Sequence, residues 1–169
     1  MAEGTTLQRG PGSSFKLPDN RFEIPALAGT FAYRFNGYAI KQDRPFYLLG
    51  VGQLTIDRQG NITGEHQSAA TALEGQDATV MTGKYTLNGM MSVASNGAGE
   101  AGIFFNKADG QGKSVVGGFY VQVAGDVDRI WMMSSKAIDL DPVAPPNGKP
   151  REAVELCSLE AVRMALPKS

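Results

Sequence analysis

Between Leu27 and about Lys136 the chain is one short run of alternating apolar and polar residues after another, with no helical periodicity between them. A period of two places every second side chain on the same face of a strand. Phe31, Tyr33 and Phe35 alternate with Ala32, Arg34 and Asn36. Val115, Gly117, Phe119, Val121 and Val123 alternate with Val116, Gly118, Tyr120 and Gln122. On this pattern strands are expected over about 29–41, 45–57, 61–69, 78–87, 101–106, 114–124 and 129–136, with a short apolar run at 90–94. Asn36-Gly37, Gly60-Asn61, Asn88-Gly89 and Asp109-Gly110 read as turn dipeptides between them. Many segments are apolar on both faces, whereas a solvated open sheet would show one polar face. The pattern therefore predicts an all-β chain: an antiparallel up-and-down barrel of about eight strands.

A barrel must pair its last strand with its first. Residues 152–166 fit either an alternating strand or a helical stripe through Val154, Leu159, Val162 and Leu166. Closure favours the strand. The proline-rich stretch from Leu140 to Pro150 must be a loop. Residues 1–25 read as an irregular arm, carrying Gly10-Pro11-Gly12 and the apolar beads Phe15, Leu17, Phe22 and Ile24. Residues 26–169 read as a single barrel domain. The twenty-one glycines suit strong sheet curvature.

Charge removes several functions. Sixteen basic residues face seventeen acidic ones, for a formal net charge of −1, so no basic surface for nucleic acid or anionic lipid is expected. No apolar run approaches the ~20 residues of a helical membrane span. Cys157 is the single cysteine, which forbids an intrachain disulfide and reads as a buried structural thiol. The N-terminus lacks a basic and apolar leader. The chain as written reads as cytoplasmic, or as secreted or periplasmic if a signal peptide was removed.

The order of motifs carries a resemblance. A Gly-x-Phe strand opens at Gly29. It is followed by the run Leu54-Thr55-Ile56-Asp57-Arg58-Gln59-Gly60-Asn61-Ile62-Thr63-Gly64, and then by Thr82-Gly83-Lys84-Tyr85-Thr86-Leu87-Asn88. Over about 28–89, and more loosely to Lys136, this resembles small bacterial β-barrel proteins of the lipocalin-like or allene-oxide-cyclase-barrel kind. Gly29-Thr30-Phe31 stands where lipocalins carry Gly-x-Trp. The resemblance implies a barrel with a ligand cavity. The functions it implies are carriage of a small molecule, or cyclisation of a reactive polyene or polyketide-type intermediate. It places no catalytic residue in this chain.

Candidate residues follow from chemistry. His66, the single histidine, is the natural acid or base near neutral pH, with Tyr120 as a second catalytic candidate. The plainer reading of His66 is a polar residue at a surface or rim. Tyr33, Tyr85, Tyr120 and Trp131 combine an apolar body with a hydrogen-bonding tip, as a ligand wall requires; Met133 adapts to irregular shapes, and Arg34 and His66 are the candidate anchors. Ordinary barrel packing explains the same aromatics. One histidine cannot build a multi-histidine metal site, and the acidic residues lack calcium-loop spacing, so neither metal nor cofactor is expected. The expected partner is a small hydrophobic molecule. A cyclase or isomerase is the catalytic alternative, and a homo-oligomeric interaction module is the third.

Overall fold

In the computed structural model the described residues are 6–9, 13–16, 22–41, 44–72, 80–108, 114–140 and 151–165. Within the N-terminal arm, Thr6–Arg9 (β1) and Ser13–Lys16 (β2) pair as a two-stranded antiparallel ladder. A single helical turn, α1, spans Ile24–Leu27. Eight long strands follow: β3 Gly29–Lys41, β4 Arg44–Ile56, β5 Asn61–Ala72, β6 Val80–Val93, β7 Ala98–Lys107, β8 Ser114–Ala124, β9 Arg129–Leu140 and β10 Arg151–Arg163. Each pairs antiparallel with its chain neighbour, and β10 pairs with β3, closing the barrel. The ambiguous C-terminal segment is thus a strand, because only a strand can satisfy the free edge of β3.

Two expected turns are interior strand positions. Asn36-Gly37 lies within β3 and Asn88-Gly89 within β6. Their glycines serve close approach instead. A Cβ at Gly37 would sit 2.6 Å from Cys157 Sγ, and one at Gly89 would collide with the Gly102 carbonyl on β7. The short apolar run at 90–94 is therefore the continuation of β6. Asp109-Gly110 lies outside the described residues. The reversal at Gly60 is as expected. There Gly60 takes φ +87°, and the Asp57 carboxylate accepts bonds from the backbone N–H groups of Gln59 and Asn61 and from Asn61 Nδ2.

Alternation sorts the side chains as the sequence pattern requires. Phe31, Leu54, Ile56, Ile62, Leu87, Ile103, Val123 and Ile130 point inward and are buried. They fill the half of the barrel next to α1. Leu27 of α1 is fully buried in that end, with Phe22 and Val127 beside it. Arg163, at the end of β10, holds the plug in place. Its guanidinium donates to the carbonyls of Ala28 (2.9 Å), Ala26 (2.9 Å) and Val127 (3.1 Å) and lies 4.8 Å above the Phe31 ring. A cation satisfied by three carbonyls and an aromatic face is a strong local seal. This end of the lumen is closed and solid. The C-terminal ends of β3, β5, β7 and β9 lie at the opposite end, called the far end below.

Candidate functional site in the barrel lumen

Above the solid half the lumen wall changes character. Register places Tyr33 of β3 opposite Gly52 of β4, Gly52 opposite His66 of β5, and His66 opposite Tyr85 of β6. These four inward positions form one row around the barrel. Phe35 and Phe105 reach the same level, their rings centred 5.4 and 5.3 Å from the imidazole and nearly perpendicular to it. Tyr85 lies 5.9 Å away, tilted by 48°. His66 is therefore caged by four aromatic rings. It is 4% exposed and is the one buried polar or charged side chain among the described residues.

One contact anchors the imidazole. Its Nδ1 lies 2.8 Å from the Tyr33 hydroxyl, and the two ring planes are parallel within 1°. The lone pair of an imidazole nitrogen lies in the ring plane, so this geometry suits a strong hydrogen bond. Burial pushes the imidazole pKa down to about 4, because the charged form loses its hydration and gains no counter-ion. Burial pushes the Tyr33 hydroxyl above its ordinary value for the same reason. The pair is neutral across the physiological range. Among the described residues nothing bonds to Nε2 of His66.

Glycines make the cage possible. A Cβ at Gly50 would collide with Cε1 of His66, and one at Gly52 would sit 2.6 Å from the Tyr33 hydroxyl. At Gly83 it would sit 2.6 Å from the Tyr85 ring. The next inward row toward the far end is Phe35, Gly50, Ser68 and Gly83. Three of those four positions carry almost no side chain. The ring of His66 leans over Gly50 and that of Tyr85 over Gly83, so the cage faces a row of small side chains.

The structure divides the sequence candidates by face. Tyr33, His66 and Tyr85 come together inside. Arg34, Tyr120, Trp131 and Met133 point outward: Tyr120 is 55%, Trp131 45% and Met133 60% exposed. Arg34 pairs with Glu160 across the outer surface at 2.5 Å. Arg34 and Trp131 hold the Glu160 carboxyl below its usual range through hydrogen bonds. These four are not lumen-wall residues, because each sits one residue out of phase with the inward set. A concavity of about 1520 Å³ is lined by outward residues such as Tyr47, Leu49, Tyr120 and Trp131 and by the inward row Phe35, Gly50, Ser68 and Gly83. We place the candidate site at the cage, because it alone among the described residues holds a buried polar side chain with an unpartnered nitrogen.

Sequence reasoning missed Phe35, Phe105, Gly50 and Gly52 as cage residues. Phe35 shares the parity of Tyr33, which was the available signal. Phe105 and the glycines needed the inter-strand register. Among the described residues no group of three His, Cys, Asp or Glu side chains could hold a metal, and no helix is long and apolar enough to cross a membrane. No protein-family profile and no curated protein matches the chain.

Proposed function

We propose that the protein binds a small, largely apolar molecule in the far half of its lumen, seated on the aromatic cage around His66. The observation that carries this reading is a buried imidazole with one nitrogen unpartnered, next to a row of Gly, Ser and Gly. Buried polar atoms normally find partners, and an exception that faces a row of such small side chains is a mark of a ligand contact. The walls supply affinity through apolar burial at about 25 cal/mol per Å². The imidazole supplies orientation. This agrees with the likeness to lipocalin-like and allene-oxide-cyclase-type barrels, which supports the reading as analogy.

The His66–Tyr33 contact favours one second reading. A neutral imidazole bonded to a phenol is a proton-transfer pair, and a guest held against it could be isomerised or cyclised. Both readings place the guest at the same atoms.

Native mass spectrometry of gently purified protein tests the first reading. A bound mass that is lost in Ser68→Leu, with the circular dichroism of the barrel unchanged, is the expected result. Equal retention of the guest by Ser68→Leu would remove the far half of the lumen as its site. Conversion of that guest by the wild type, abolished in a folded Tyr33→Phe, would establish the catalytic reading.

A further inference from the structure

We infer that the guest is a neutral carbonyl compound, whose C=O oxygen accepts a hydrogen bond from Nε2–H of His66. The inference rests on the proposed lumen site and specifies the chemistry that the site selects.

The argument is a count of protons. Tyr33 Oη and His66 Nδ1 are 2.8 Å apart, and among the described residues neither side chain has a further hydrogen bond. Two arrangements are open to a neutral pair. In one, Nδ1 carries the imidazole proton and donates to Oη. The phenolic proton then has no acceptor, and the Nε2 lone pair has no donor. In the other, the Tyr33 hydroxyl donates to Nδ1, and the imidazole proton sits on Nε2. Only that one N–H is then unsatisfied. Each buried donor without an acceptor is costly, so the arrangement with a single orphan prevails. Nε2 is therefore a donor in the resting protein. Its ring leans over Gly50, which has no side chain to meet it.

An orphan donor selects an acceptor. A hydrocarbon guest would leave it unsatisfied. A carboxylate would satisfy it but bring a charge into a cage whose walls are Tyr33, Phe35, Tyr85, Phe105, Gly50 and Ser68. None of these is a cation, and Lys107, the ladder partner of Tyr85, is exposed, so an anion at Nε2 would be dehydrated without a buried counter-charge. A ketone, aldehyde, ester or enone brings a strong neutral acceptor and apolar flanks for the aromatic rings.

The test uses three probes of one size: acetophenone, ethylbenzene and benzoate. The expected wild-type result is about tenfold tighter binding of acetophenone than of ethylbenzene, the worth of one net hydrogen bond, with benzoate weakest. In His66→Phe the two neutral probes should converge to within about twofold. A second readout needs no variant. His66 is the only histidine, so long-range ¹H–¹⁵N spectra report a single imidazole. Nε2 should carry the proton in the free protein, and its resonance should move downfield with acetophenone but not with ethylbenzene. Equal binding of acetophenone and ethylbenzene, or a proton on Nδ1, overturns the carbonyl inference and leaves the lumen site standing. Failure of every probe to bind overturns both.

Discussion

Mild acid should weaken this protein through one residue. In the folded state His66 has its pKa pushed down to about 4, against an ordinary value of 6.5. The unfolded chain therefore takes up a proton as pH falls through 6.5, while the folded chain does not. Stability rises with pH wherever the unfolded state binds more protons, so the loss occurs on going down from pH 6.5 toward 4. Between pH 7.5 and pH 5 the two values give a loss of about 2 kcal/mol, rising to about 3 kcal/mol at pH 4. For a chain of this size about 2 kcal/mol lowers Tm by roughly 4–8 °C. The assay is urea unfolding at half-unit pH intervals for the wild type and for His66→Phe. Surface carboxylates titrate in both proteins and cancel in the difference. The wild type should lose about 2 kcal/mol more than the variant between pH 7.5 and 5. Parallel pH profiles would refute the reasoning, because they would mean that the imidazole is hydrated in the folded state.

Four further outcomes follow from the same contacts. Tyr33→Phe leaves His66 Nδ1 without a partner and should destabilise by about 1–3 kcal/mol in urea unfolding at pH 7.5. Gly50→Ala places a methyl group against Cε1 of His66. The imidazole resonances should shift widely, while Gly102→Ala, which meets nothing within 4 Å, should leave them in place. Leu27→Ala empties the fully buried plug and should cost about 2–5 kcal/mol by the same unfolding assay. Cys157 is buried, so its thiol should react with Ellman's reagent at the rate of barrel opening, and fast labelling of the native protein would contradict the packing around Gly37.

Much of the architecture was legible because β-structure writes itself into sequence with a period of two. Phe31, Tyr33 and Phe35 on one parity, and Arg34 and Asn36 on the other, gave the inward and outward faces of β3 directly. The same rule applied to β8 and β9 would have placed Tyr120 with Gln122 outside, and Trp131 and Met133 opposite the buried Ile130 and Met132. Of the wall candidates, Tyr33 and Tyr85 carry the inward parity, whereas Tyr120, Trp131 and Met133 carry the outward one despite their aromatic or apolar character. Asn36-Gly37 and Asn88-Gly89 misled for a related reason. Asn-Gly is a strong local turn signal, but a neighbouring backbone or side chain that needs space also selects glycine, and that neighbour is distant in sequence. The sequence offered His66, Tyr33 and Tyr85 as separate candidates, but not their assembly into a cage. That assembly depends on Gly52 facing both Tyr33 and His66, a register set by closure of the whole sheet.

The seat of the guest is tested most directly by intermolecular NOEs between bound acetophenone and the carbon-bound protons of the single imidazole. The account predicts cross-peaks from the guest's methyl and ring protons to Hε1 of His66 and to the rings of Tyr85 and Phe35. Saturable binding with cross-peaks only to Trp131, Met133 or Tyr120 would contradict it, since those side chains lie on the outer wall.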